Sequence, residues 1–203
     1  MDTLTCLALN CTLKPEGRSN TDVLLGQVLD ALAPHGVTGE VVRVAAHHIR
    51  PGVTSESLGP GDDWPALRER VLAADVVLLG TPIWLGNPSS VCRRVLERMD
   101  AFLAETDDEG RLITFGKVAG VVVTGNEDGA HNVSAQLYQG LADVGFTIPA
   151  GATTYWVGEA MGSVDYGDLD DTPEKVAQTT ATMAANLAHL ARLLRERPYP
   201  PAG

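Results

Sequence analysis

Residues Leu4–Leu25 set a strand, a polar loop and a helix start in immediate succession, and that order dictates much of what can follow. Leu4-Thr5-Cys6-Leu7-Ala8-Leu9 is too apolar for a half-solvated strand and reads as one buried on both faces. The loop Asn10–Thr21 carries hydroxyls, amides, Lys14 and Arg18, and Asp22-Val23-Leu24-Leu25 opens a helix. A strand that empties through such a loop into a helix N-terminus suits a phosphate: unpaired N–H groups, the positive end of the helix dipole, neutral donors and one cation converge there. The loop has neither G-x-x-x-x-G-K-[ST] nor G-x-G-x-x-G. Side chains rather than a glycine cradle must therefore hold the anion.

The same alternation repeats along the chain. After the first strand, Thr21–Ala33 is a helix that stops before Pro34-His35-Gly36. Thr38–Val44 is a strand, 45–63 a Gly/Pro/Ser-rich loop, and Trp64–Leu72 a short helix. Ala74–Leu79 is a buried strand, and Ser89–Leu103 an amphipathic helix with Val91, Val95, Leu96, Met99 and Phe102 inside and Arg94, Glu97 and Arg98 outside. Lys117–Thr124 is a buried strand, and Val133–Val144 a helix ending at Gly145. Phe146–Val157 holds a fifth strand interrupted by Pro149 and Gly151. Thr172 is expected to cap a final helix that runs to about Arg195. Five buried strands alternating with helices imply a parallel sheet covered on both faces, in one domain over residues 1–203.

Composition narrows the function. A 203-residue chain with 44% apolar and 20% charged residues can fill a full α/β core. A net charge of −11 disfavours nucleic-acid binding and attachment to anionic membranes. Neither a signal peptide nor a membrane span is apparent. The three scattered cysteines fit reduced thiols, so a cytoplasmic setting is expected. His47-His48 find no partners at ligand spacing, and no metal is expected. The acidic run at Asp165, Asp168, Asp170 and Asp171 lacks the glycine-centred pattern of a calcium loop; it reads as a solvated loop that could also cover a ligand or meet a partner.

In an open parallel sheet, ligands bind beyond the C-terminal strand ends where strand order reverses. Three loops meet that condition. The first offers Thr12, Lys14, Ser19, Asn20 and Thr21; its plain alternative is a solvated loop with a capping residue. The second, Gly80–Ser89, offers Pro82, Ile83, Trp84, Leu85 and Gly86, with Trp84 as a flat apolar surface or simply a packed core residue. The third offers Thr124, Gly125, Asn126, Glu127, Gly129 and His131, or else a turn and a helix cap. Taken together, a phosphate site, a flat platform and polar backbone contacts match flavin mononucleotide (FMN).

These residues carry a family resemblance. Asn10–Leu25 resembles the phosphate loop of the flavodoxin-like NAD(P)H-dependent FMN reductases, with Lys14 near the family's arginine and Ser19-Asn20-Thr21 matching the end of the motif. Thr81-Pro82-Ile83-Trp84-Leu85-Gly86 resembles the family's Thr-Pro-Ile-Tyr-x-Gly, with Trp84 in place of Tyr, whereas Cys11 and Thr12 stand where Gly-Ser is common. The resemblance implies a flavodoxin-like sheet of five strands in order 2-1-3-4-5 and bound FMN. It implies hydride acceptance from NADPH or NADH and delivery to a small acceptor such as a quinone or flavin, and assembly as a homodimer or homotetramer. No catalytic residue stands out, although His131 is a candidate to polarise an acceptor. The sequence also admits two other readings: a flavodoxin-type electron carrier, which the acidic charge suits, and a flavin-free module of the same fold.

Overall fold

The computed structural model describes residues 3–201. The chain folds as β1 (Leu4–Asn10), α1 (Asn20–Leu32), β2 (Val37–Arg43), α2 (Trp64–Ala73), β3 (Val76–Trp84), β4 (Asn87–Pro88), α3 (Ser90–Met99), β5 (Val118–Gly125), α4 (Ala130–Asp143), β6 (Thr153–Val157) and α5 (Glu174–Glu196). The five long strands are all parallel in the order β2-β1-β3-β5-β6, and β4 is a two-residue antiparallel appendage on β3. The expected flavodoxin-like order is therefore present, with the short β4 added.

Burial explains why the central strands read as unbroken apolar runs. Along β3, Val77 and Leu79 join one core with α2, α3 and α4, while Val76 and Leu78 join the other with α1 and α5. Both faces are covered, so neither set of alternating residues meets water. Gly80 sets how closely α1 packs: a Cβ there would sit 2.6 Å from Leu25 Cδ1 and 2.9 Å from Thr21 Cγ2. Its absence lets the first turn of α1 lie directly against β3.

Several sequence expectations are corrected. The apolar run Ala74–Leu79 continues as strand through Thr81-Pro82-Ile83 to Trp84, then reverses through Leu85 and Gly86. Both turn residues have positive φ, 52° and 72°, as a tight two-residue hairpin demands. The helix expected from Val133 begins at Ala130. The fifth strand is confined to Thr153–Val157, because Pro149 and Gly151 leave only an isolated bridge at Thr147 before it. Thr172 does not cap α5: Pro173 holds that position, and the Thr172 hydroxyl accepts from Gln27 Nε2 at 3.0 Å.

Arg98 is the clearest reversal, since it points inward and is fully buried. Its guanidinium donates to the Asp62 carboxylate at 3.0 Å, to the Arg50 carbonyl at 3.0 Å and to the Glu56 carbonyl at 2.8 Å, and it lies over the Trp64 ring. A buried cation needs acceptors for its donors, and the loop 45–63 supplies them to Nη1 and Nη2, while Nε stays without a partner among the described residues. Burial alone would raise the Asp62 carboxyl. N–H donation from Leu58, Arg50 and Trp64, together with the Arg98 charge, brings it below the ordinary carboxylate value.

Candidate functional site

Strand pairing brings the three loops to one edge: Asn10 pairs with Gly80, and Pro82 with Thr124. A cleft of about 420 Å³ opens there, beside the point between β1 and β3 where strand order reverses. Thr12, Lys14, Ser19, Asn20 and Thr21 line it from the first loop, Pro82, Ile83 and Trp84 from the second, and Thr124, Gly125, Asn126 and Glu127 from the third. Four anticipated residues do not line it. Leu85 is the exposed hairpin tip. Gly86 and Gly129 pack on each other, such that a Cβ on Gly129 would lie 2.7 Å from Gly86 Cα. His131 is turned to Tyr155, with Nε2 3.1 Å from the phenol oxygen and the rings edge to face.

The first loop is built around Asn10, a buried strand-end residue with no sequence motif to mark it. Its Oδ1 accepts from the Thr12 N–H at 2.9 Å, and its Nδ2 donates to Ser19 Oγ at 3.2 Å and to the Asp22 carboxylate. Ser19 is the N-cap of α1, accepting from the Asp22 N–H at 3.2 Å. A hydroxyl has two acceptor sites. Both are taken on Ser19, so its proton has to be donated elsewhere, and the residue lines the cleft. Arg43, at the end of β2, holds the loop from behind by donating to the Lys14 carbonyl at 3.2 Å, the Gly17 carbonyl at 3.1 Å and the Asp22 carboxylate. The Asp22 charge is thereby neutralised away from the cleft. Of the two loop cations, Arg18 pairs with Asp168 at 2.6 Å, and Lys14 is exposed at the rim.

Cys11, where the family pattern departs, does not contribute its side chain to the cleft. Its thiol is buried in the core, and the Cys92 thiol beside it, reinforced by burial, pushes its pKa well above the ordinary thiol value. The Cys11 carbonyl accepts from Ser89 Oγ at 2.5 Å, which ties the loop to the cap of α3. Thr21 and Thr124 join across the cleft floor, Oγ1 to Oγ1 at 3.0 Å.

The segment after β6 closes one side of the cleft. The Asn126 amide Nδ2 donates to the Gly162 carbonyl at 3.2 Å, the Gly167 N–H donates to Asn20 Oδ1 at 3.1 Å, and buried Tyr166 donates to Gln27 at 2.5 Å. Met161 and Asp165 thus reach the lining. The Arg18 guanidinium and the Asp165 N–H hold the Asp168 carboxyl below its usual value. The acidic loop is therefore a docked flank of the cleft.

These residues fit FMN chemically. A helix N-terminus, a directed Ser19 proton and Lys14 suit a phosphate, while Pro82, Ile83 and Trp84 give an apolar wall for a ring. A larger concavity of about 630 Å³ lies elsewhere, along α2 and the turn after α3. There Arg68 Nη2 and Ser55 Oγ both donate to the Glu105 carboxylate. No helix among the described residues is long and apolar enough to cross a membrane.

The chain is similar to several known proteins. The family model for NADPH-dependent FMN reductase matches residues 4–162. The chain is 38% identical over 202 residues to the divalent metal cation transporter MntH of Mycobacterium bovis, covering 96% of this chain and 29% of that protein. It is 33% identical over 209 residues to the 8-demethyl-8-aminoriboflavin-5'-phosphate synthase of Streptomyces davaonensis, covering 97% of this chain and 80% of that protein. Among solved structures, RosB with bound 8-demethyl-8-formylriboflavin-5'-phosphate superposes with a TM-score of 0.85 at 32% identity, over 97% of this chain and 82% of that one. An archaeal flavodoxin, at TM-score 0.60 and 7% identity over 93% of this chain and 99% of that one, shares the fold. The chain belongs to the NADPH-dependent FMN reductase family, flavodoxin-like flavoprotein oxidoreductases whose cofactors are FMN and NAD(P)H.

Proposed function

We propose that this protein passes hydride from NAD(P)H, by way of FMN held in the 420 Å³ cleft, to a small acceptor such as a quinone or a second flavin. The observation that carries this reading is the conjunction of a donor-directed phosphate loop with an apolar wall in one cleft. Bound FMN would supply the redox chemistry. Ser19 and the first turn of α1 would hold the phosphate, with Lys14 adding charge. Pro82, Ile83 and Trp84 would orient the ring and exclude water from one side of it. Half of the Trp84 side chain and nearly all of Leu85 and Met161 are exposed around the mouth. That apolar rim suits a nicotinamide or acceptor ring and the interface of a homodimer or homotetramer, in a cytoplasmic setting. The electron-carrier reading is less well supported, because the cleft mouth stays open to a second planar molecule. Anaerobic mixing of the FMN-loaded protein with NADH or NADPH tests the proposal: bleaching of the flavin's visible absorption is expected, and failure with both nucleotides points to the carrier.

A second reading draws on the synthase relative, whose name makes a riboflavin 5'-phosphate derivative its product. Here the flavin phosphate in the cleft would be substrate rather than cofactor. Mass spectrometry of FMN recovered after incubation separates the two, since an altered flavin mass supports only the second.

A further inference from the structure

We propose that Glu127 is the specificity residue of the cleft, accepting a hydrogen bond from the N3–H on the pyrimidine edge of the flavin ring; this rests on the reading that FMN occupies the cleft. Glu127 lines the cleft, and its Oε1 is buried without a hydrogen-bond partner among the described residues. A carboxylate oxygen shut away from water and left unpaired is costly. A ligand donor at that position removes the cost, so the site favours molecules that bring one.

Elimination singles out this residue within its loop. The Thr124 hydroxyl is engaged with Thr21, the Asn126 amide Nδ2 is turned to the 162–165 segment, and His131 is bonded to Tyr155 outside the lining. Among the described residues lining the cleft, Glu127 is the one with a buried side-chain oxygen that has no hydrogen-bond partner.

Charge decides which end of the ligand it meets. A carboxylate is repelled by a phosphate, and the phosphate's donors cluster at Ser19 and the start of α1. Glu127 lies in the loop that leaves β5, and β5 is two strands away from β1 in the sheet, a separation of roughly 10 Å at about 4.8 Å per strand spacing. The strand adjoining β5 at this edge, β3, brings apolar Pro82, Ile83 and Trp84 to the same cleft, and these suit a ring rather than a hydroxylated chain. The oxidised flavin ring carries a single N–H, at N3. A carboxylate there also selects against rings that present an acceptor or an alkyl group at that edge.

The test compares the Kd of FMN and of N3-methyl-FMN for the wild-type protein and for Glu127→Ala. In the wild-type protein, methylation is expected to weaken binding about tenfold or more, the scale of a hydrogen bond to a charged group. In Glu127→Ala the two ligands are expected to bind alike. The isosteric Glu127→Gln, which keeps the loop's shape, is expected to make bound flavin easier to reduce, because a negative charge beside the ring is gone. An equal methylation penalty in wild type and Glu127→Ala overturns the assignment, as does an unchanged midpoint potential in Glu127→Gln. If the wild-type protein binds no FMN at all, the reading of the cleft falls first and this assignment with it.

Discussion

Asn10 Nδ2 donates to Ser19 Oγ at 3.2 Å, and this bond fixes where Ser19 can send its own proton. Two residues nine apart in sequence, one ending a strand and one capping a helix, thus turn a generic N-cap into a directed donor. Ser19→Ala removes both the cap and the donor. We expect a stability loss of about 1 kcal/mol in urea unfolding and FMN binding weaker by about tenfold. Riboflavin, which lacks the phosphate, should bind the variant and the wild type alike in a fluorescence titration.

Arg43 acts on the same loop from outside the cleft. Arg43→Gln frees the Lys14 and Gly17 carbonyls and removes the cation paired with the Asp22 carboxylate in the first turn of α1. FMN affinity should fall by roughly tenfold, through loss of contacts each worth about 1 kcal/mol and through added repulsion. Because this defect is electrostatic in part, raising the ionic strength should narrow the gap between variant and wild type.

The buried Arg98–Asp62 pair governs stability rather than binding. Arg98→Met strands Asp62 in the core and should cost about 3–5 kcal/mol in unfolding free energy, with FMN affinity of the folded fraction unchanged. The pH dependence follows from the lowered Asp62 pKa. A carboxyl held below its unfolded value stabilises the fold above about pH 4 and ceases to do so as pH falls through the folded value. Urea midpoints measured for wild type and Asp62→Asn should therefore converge on acidification from neutral pH.

Gly129→Ala tests the contact between the second and third loops. Gly129 has φ 130°, and an added Cβ would lie 2.7 Å from Gly86 Cα. Both strain and collision push the hairpin carrying Trp84 away from the α4 entrance. A stability cost of about 1–3 kcal/mol is expected, with weaker binding of FMN and riboflavin to the same degree, since the ring wall rather than the phosphate site moves.

Much of the site was legible because its pieces are local. Ser19-Asn20-Thr21 combine a cap with a helix start, and Thr81-Pro82-Ile83-Trp84 follow the most apolar strand, so strand-end logic alone brings them together. What escaped depends on distant partners. Arg98 sits among charged helix neighbours and gives no sign of pointing inward, because its acceptors at Arg50, Glu56 and Asp62 lie some forty residues earlier and owe their position to a loop without periodicity. Asn10, read as the first residue of the polar loop, and Arg43, read as lying within the second strand, gave no sign of their roles for the same reason. Met161 and Asp165 reach the cleft only because Asn126, Asn20 and Gln27 dock the segment after β6. His131 was expected near the ligand from its place in the third loop. The start of α4 at Ala130 instead sets it on a helical face toward Tyr155.

The most direct measurement is a parallel titration of the flavin-free protein with FMN and with riboflavin, for wild type and Ser19→Ala. The wild type is expected to bind FMN at least tenfold more tightly than riboflavin, and Ser19→Ala to lose most of this preference. Equal affinity of the wild type for the two flavins, or binding of neither, would contradict this expectation.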